Sequence, residues 1–396
     1  MIRYFAYILI GWLSVQSLIG QSFTPGQSYF GANNYIEYKA GNLPILLSAP
    51  HGGLLTPTSI PDRSCSGCTT VNDYNTQELA RALYDAIYAR TGCYPHLVIN
   101  RLHRRKLDAN RDLPEAADGD PIAGKAWEEF HGFLEQAHYA VEHDFGKGFY
   151  IDLHGHGHAV QRLELGYLLS KSELQLSDNT LNTNTFVRYS SIRNLAYDNA
   201  NDLSHAELLH GPESFGSLLT EHGYPAVPSV QDPYPDGAED YFDGGYNTAR
   251  YSSYPRGAID GVQIECNRTG VRDSIQQVKR FADSLAVALL EYLNIHYFGS
   301  VEADLCLSEN QSPSDTTIAV EVYPNPFCRS FYITQHAENQ VLDVDFYDFY
   351  GNFLRHELLL PDTPLGLTFT PRQSIYAVLR KNGVAIATKA IIFYCR

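Results

Sequence analysis

From Leu43 to Cys266, short apolar runs alternate with longer stretches of helical periodicity. Ile45-Leu46-Leu47, Leu97-Val98-Ile99 and Phe149 to Leu153 are brief and bounded by turn residues, as buried strands are. Between them, residues from about Thr76 to Tyr88 and from about Ile122 to Val141 repeat at helical spacing. In the second stretch Phe130, Phe133, Leu134, Ala137 and Val141 form one apolar face, the pattern of core rather than of cofactor contact. Leu165 to Leu169 and Val262-Gln263-Ile264 are two further strand candidates, and an amphipathic helix from about Asp273 to Tyr297 closes the region. Strands alternating with helices predict a mainly parallel sheet covered on both faces, whose ligand site lies beyond the carboxyl ends of the strands. His51 follows the first run, Arg101 follows the second and His154 ends the third, so all three are expected on one rim.

The pattern changes at both ends. Met1-Ile2-Arg3 leads into an apolar stretch from Tyr4 to about Leu18, then Ile19-Gly20, the layout of a secretory signal over residues 1–20. Ser14, Gln16 and Ser17 interrupt that run, which falls short of the about 20 apolar residues of a spanning helix. After Val301 the chain turns polar and aperiodic, a linker over 301–317, and 318–396 carries short β-prone runs such as Phe331-Tyr332-Ile333, Val344 to Tyr347 and Ala377-Val378-Leu379. These predict a small β-sandwich after a catalytic domain over 21–300.

Composition narrows the classes. With 396 residues and 44% hydrophobic content the chain can fill one large core and a smaller one. A formal charge of −16 argues against a nucleic-acid partner, which requires a basic face. Of seven cysteines, Cys65 and Cys68 read as a local disulfide, Cys328 and Cys395 flank the C-terminal segment and could staple it, and the odd count leaves a thiol over.

Several segments carry candidate chemistry. His51, in Ser48-Ala49-Pro50-His51-Gly52-Gly53, sits at a strand end before two glycines; it reads as a metal ligand or as a turn histidine bonded to backbone. In Asp152-Leu153-His154-Gly155-His156-Gly157-His158, alternation puts Asp152 and His154 on one face, which suits a metal histidine donating its other ring N–H to an acid. A solvated polar loop is the alternative, and His156 and His158 are also possible ligands. Asp73 precedes a helix, where acids often cap, but Asn75 or Thr76 can do that and free Asp73 as an oxygen ligand. The basic run Arg101 to Arg111 suits a substrate carboxylate or a polarised carbonyl, with a solvated turn as its commoner fate. Glu265 lies inside an apolar run, either as a general acid/base beside a metal or as a buried salt bridge to Arg268 or the basic run.

Together Ser-Ala-Pro-His51-Gly-Gly, Asp73, Leu107-Asp108-Ala109-Asn110-Arg111, Asp152-Leu153-His154-Gly and Gln263-Ile264-Glu265 resemble the N-formylglutamate amidohydrolases, relatives of zinc carboxypeptidases of the carboxypeptidase A type. The resemblance implies a phosphorylase/hydrolase-like three-layer α/β/α sandwich holding one zinc ion on His51, Asp73 and His154. It implies that Asn110 and Arg111 grip a substrate carboxylate with help from Arg101 and Arg104, and that Glu265 is the general acid/base. The carboxypeptidases keep a glutamate three residues after the first histidine; Leu54 stands there in this chain, so the second ligand falls to Asp73. In the insert from about Leu174 to Asp260, Tyr246 and Arg250 are candidates for substrate contact. Val320-Glu321-Val322-Tyr323-Pro324-Asn325-Pro326-Phe327, with Tyr350-Gly351 downstream, resembles the sorting domains of the type IX secretion system of Bacteroidetes, which implies that machinery as a partner and a secreted or cell-surface location.

The resulting expectation is a secreted zinc hydrolase cleaving an amide or peptide bond next to a carboxylate, in an N-acyl amino acid or a peptide. A catalytically inactive surface binding module on the same scaffold is a second reading. A polysaccharide-active enzyme using Glu239 and Asp240 is a third.

Overall fold

The computed structural model describes residues 23–254, 257–298, 306, 320–323, 330–335, 341–348, 353–360, 365–368, 375–381 and 384–391. The signal segment, most of the linker, Cys328, Cys395, Tyr350-Gly351 and Pro324-Asn325-Pro326 lie outside the described residues.

Eight strands form the main sheet: β1 Ser28–Phe30, β2 Ile36–Lys39, β3 Ile45–Ala49, β4 His96–Asn100, β5 Phe149–Gly155, β6 Leu163–Gly166, β7 Ala226–Val227 and β8 Asp260–Cys266. Their order is β1-β2-β4-β3-β5-β8-β6-β7, and β4, β3, β5 and β8 are parallel neighbours at its centre. The flanks are mixed, with β2 antiparallel to β4 and β6 antiparallel to β8.

Strand alternation divides the interior into two layers. Ile45, Leu47, Leu97, Ile99, Ile151, Leu153, Val262 and Ile264 pack in one core with α1 (Thr76–Thr91) and the Ile275–Leu293 helix. Leu46, Val98 and Tyr150 point the other way, into a second core completed by Phe130, Leu134, Ala137 and Val141 of α3 (Pro121–Phe145), the helix after the short α2 (Leu113–Ala117). The result is the expected α/β/α layering. On the α3 face the apolar pattern gives way to polar residues towards the carboxyl ends: Ser48 lies beside Asp152, Asp152 beside Gln263, and His154 beside Glu265. All five are buried, so this polar row has to be satisfied internally.

Both helices that frame the site have legible ends. Asp120 accepts from the N–H groups of Ile122 and Ala123, with Pro121 in the first turn, and Gly146 ends α3 in the left-handed region. At α1 the hydroxyl of Thr76 donates to the carbonyl of Asp73 at 2.9 Å, and Asn75 in the cap position makes no side-chain cap bond. The Asp73 carboxylate therefore stays free of the helix.

Departures from expectation lie at edges and in the insert. The strand expected at Leu165 to Leu169 stops at Gly166, because Leu168 turns left-handed (φ 64°) and its N–H goes to the Asp243 carbonyl. β1 and β2 add an edge hairpin that the apolar runs did not announce, and the insert folds as short helices such as Lys171–Leu174, His205–His210 and Phe215–Glu221. The C-terminal strands form two antiparallel sheets, of three and four strands.

Cys65 pairs with Cys68 as expected from spacing, Cys93 pairs with Cys306, and Cys266 is a buried free thiol. Pairing of Cys93 with a residue 213 positions away carried no local sequence signal.

Gly53 allows the turn after His51, since a Cβ there would meet the Arg101 carbonyl and the Leu102 oxygen. Gly53→Ala should therefore destabilise the fold by about 2 kcal/mol, read as a lower urea midpoint at unchanged slope.

Candidate metal centre

The centre is assembled where four adjacent parallel strands end. His51 follows β3, His154 lies in β5, Glu265 lies in β8, and the loop after β4 brings Arg104, Asp108 and Asn110; Asp73 comes from the turn before α1. His51, Asp73 and His154 converge, their candidate ligand atoms lying within 4.8 Å of one another.

Each imidazole has one nitrogen turned inward and the other committed. His51 Nδ1 and His154 Nδ1 both stand 3.3 Å from Asp73 Oδ2. His51 Nε2 lies 2.6 Å from Asp108 Oδ1, and His154 Nε2 lies 2.8 Å from Asp152 Oδ2. If both Nε2 atoms carry the hydrogen and donate to these acids, both Nδ1 lone pairs face Asp73. That is how metal-binding histidines are usually held, with a carboxylate fixing tautomer and ring angle. Bonds of about 2.0–2.1 Å at tetrahedral angles put neighbouring ligand atoms about 3.3 Å apart. Two of the three separations here match that spacing.

Charge points the same way. Four buried carboxylates, Asp73, Asp108, Asp152 and Glu265, surround the site, and the guanidinium groups beside them are Arg104 and Arg63. With both imidazoles in the neutral form that metal ligation requires and Glu265 holding its proton, Asp73, Asp108 and Asp152 exceed the two guanidinium charges by one, an excess that a bound cation would offset and that would be costly to bury alone. The donor set of two nitrogens and one oxygen suits zinc among the common metals and leaves a position open.

The ionisation of the centre follows from these contacts. Burial would raise the Asp73 carboxyl, but His51 and His154 outweigh it and hold the group well below the usual carboxylate range. Asp108 is held low in the same way by His51 and Arg104. Burial would lower His154, yet Asp152, Asp73 and Glu265 together raise it to about 10. Glu265 moves in the other direction from Asp73 and Asp108: burial dominates and pushes it up to about 8. Its Oε1 lies 3.9 Å from His154 Nδ1 and accepts from Gln263 Nε2 at 3.0 Å, while its Oε2 is buried without a partner.

The remaining expected site residues divide. Arg104 joins the centre, its Nε 2.9 Å from Asp108 and its Nη1 3.6 Å from Asp73. Asn110 joins it too: its Nδ2 lies 3.4 Å from His154 Nε2 and its Oδ1 accepts the Asn247 N–H at 2.8 Å. Arg111 stays at the part-exposed margin, paired with Glu115 at 3.0 Å. Arg101 turns away, donating to the Asn34 carbonyl and lying over the Phe30 ring. Tyr246 begins a short helix, Tyr246–Tyr251, where its hydroxyl accepts from Arg250, itself paired with Glu135. Glu265 makes no ion pair with Arg268, whose guanidinium stacks over Tyr74. Glu239 is tied to Arg162 at 2.6 Å rather than facing a second catalytic acid.

Other contributors were missed as site residues. Arg63 reaches Asp108 at 3.7 Å from a loop without any motif, and its burial is visible only in three dimensions. Asn247 and Thr248 are fully buried with unpartnered side-chain polar atoms, as is Gln263 Oε1. Gly245, just before them, is so close that a Cβ would strike the Asn110 amide and Gln263 Oε1. The Gly244-Gly245 pair was the available signal.

No family model matches the chain, and no curated protein matches it. Among solved structures, N-formylglutamate amidohydrolase from Ralstonia eutropha JMP134 aligns with a TM-score of 0.40 and 14% identity, over 66% of this chain and 97% of that one. A "putative metallopeptidase" from Shewanella amazonensis SB2B aligns with a TM-score of 0.32 and 12% identity, over 68% of this chain and 86% of that one.

Two outcomes follow from the centre. Asp108→Asn replaces the carboxylate that holds His51 Nε2 with a neutral amide and should weaken metal binding by about 10- to 100-fold in a chelator competition. In metal-free protein Glu265 binds its proton more tightly folded than unfolded, so its contribution to stability should be lost as pH rises from about 4.5 to about 8. Glu265→Gln should abolish that slope; equal pH dependence of urea midpoints in the two proteins would refute the assignment.

Proposed function

We propose that the chain is a zinc-dependent hydrolase that cleaves an amide or peptide bond next to a carboxylate, in an N-acyl amino acid or a peptide. The observation that carries this reading is the pair of imidazoles whose Nδ1 atoms face Asp73 while their Nε2 atoms are held by separate buried acids, with Glu265 alongside. A zinc ion on His51 Nδ1, Asp73 and His154 Nδ1 would supply Lewis acidity towards a carbonyl and a water molecule.

The chain's own groups have distinct tasks in this reading. Glu265, with Oε2 unpartnered and favoured in its ionised form by a neighbouring cation, would take a proton from water and return it to the leaving nitrogen. Asp108 and Asp152 keep the imidazoles oriented throughout. Asn110 holds its amide against the Asn247 N–H, and the unpartnered side chains of Asn247 and Thr248 offer further polar contacts to a substrate. Arg111, at the margin, is the cation offered to the substrate carboxylate; it would have to exchange Glu115 for that ligand.

Export through the type IX pathway to the cell surface or beyond belongs to the same proposal. Disulfides at Cys65–Cys68 and Cys93–Cys306 support an oxidising compartment.

Glu265→Gln should keep its zinc and lose about 10²- to 10⁴-fold in kcat on N-acyl amino acids or peptides with free carboxyl ends. His51→Ala/His154→Ala should lose both metal and turnover. A Glu265→Gln enzyme with wild-type kcat would remove that residue from the chemistry.

A further inference from the structure

Beyond the first centre, β5 runs out into Gly155-His156-Gly157-His158, and the first strand to pair on the far side of β8 carries Glu164. His156, His158 and Glu164 each present a ligand atom within 4.8 Å of the others. His158 Nδ1 lies 2.7 Å and His156 Nδ1 3.8 Å from Glu164 Oε1. The shorter contact is a hydrogen bond, so His158 Nδ1 would give up its proton for a cation to take its place beside Glu164. His156 Nε2 is committed to the Arg162 carbonyl at 2.9 Å, so it carries the hydrogen and leaves Nδ1 as the lone-pair nitrogen facing the cluster. That nitrogen accepts the N–H of His158 at 3.1 Å, a donor at a part-exposed residue that water can satisfy in its place. Glu164 Oε2 is fixed separately by the Phe242 N–H at 2.9 Å, and the Phe242 ring stacks on His158 at 4.7 Å.

A second observation points to a ligand. Glu164 and Glu265 are direct partners across the antiparallel β6–β8 ladder, both buried. Two carboxyl groups so placed have Cβ atoms about 5 Å apart on one face, and either a proton on one of them or a cation nearby has to offset their charge. Glu265 Oε2 is a buried oxygen without a partner. Glu265 thus stands between the first centre, where its Oε1 lies 3.9 Å from His154 Nδ1, and the His156–His158–Glu164 cluster.

We propose that His156, His158 and Glu164 form a second divalent-cation site, for zinc or a similar imidazole-binding metal, next to the first and facing Glu265. Part exposure of His158 gives the ion an entry path, and the open coordination positions fall to water or Glu265. The site stands on its own three residues and does not require the amide-hydrolase reading.

The test is zinc stoichiometry of the full chain, stripped with chelator and titrated with zinc alone, followed by native mass spectrometry and a competing chromophoric chelator. Wild type should bind about two ions, His158→Ala about one, and His51→Ala/His154→Ala also about one. Because His158 is part-exposed, its replacement should fold, which circular dichroism checks; His158→Gln, which keeps bulk and polarity, serves as a second variant. An undiminished count in both His158 variants overturns the proposal whatever the other variant does. The His51→Ala/His154→Ala count reports separately on the first centre, so the two claims fail distinguishably.

Discussion

Two hydrogen bonds at the ends of β3 and β5, from His51 to Asp108 and from His154 to Asp152, organise everything else at the sheet's rim. Each fixes an imidazole in one orientation and turns its other nitrogen towards Asp73. Without those acids the rings could rotate, and a metal site built on mobile ligands loses affinity. The cost is a dense burial of negative charge, and much of the surrounding architecture answers it. Arg104 spans Asp73 and Asp108, Arg63 reaches in from a separate loop, and the Gly155 N–H donates to Asp73 at 3.2 Å.

The sheet makes this concentration tolerable. Its parallel centre is covered on both faces by helices, and the same alternation that sends Leu47, Ile151 and Val262 into one core sends Ser48, Asp152 and Gln263 to the other face. Nearer the strand starts that second face is apolar, with Leu46 and Tyr150 packed under α3. One face therefore changes from apolar packing to buried polar groups along its length, and the polar row needs no break in the strands. The loops after β3 and β4 then close over it, which is why Gly53 must pass so near Arg101 and Leu102.

Much of this was legible in the chain. The apolar runs gave the parallel strands, and His51, Asp73 and His154 meet because strand-end positions converge on the rim in this kind of sheet. Asp152 was readable as the partner of His154 because period-two alternation put both on one face. The rest depended on contacts without local pattern. Arg101 shares the strand-end position of His51 yet turns towards Asn34, since the direction of a side chain after a strand is set by the neighbouring hairpin, here β1 and β2. Arg63, Asn247 and Thr248 sit in irregular segments where neither period nor spacing marks a buried polar residue.

The central claim is that a metal ion lies between the two Nδ1 atoms and Asp73. Anomalous diffraction at the zinc edge, from crystals of the zinc-loaded protein, tests it most directly. The account predicts a strong peak about 2.0–2.1 Å from His51 Nδ1, His154 Nδ1 and an Asp73 carboxylate oxygen, with both Nε2 atoms still on Asp108 and Asp152. A map with no peak there, or with zinc bound through either Nε2, would contradict it.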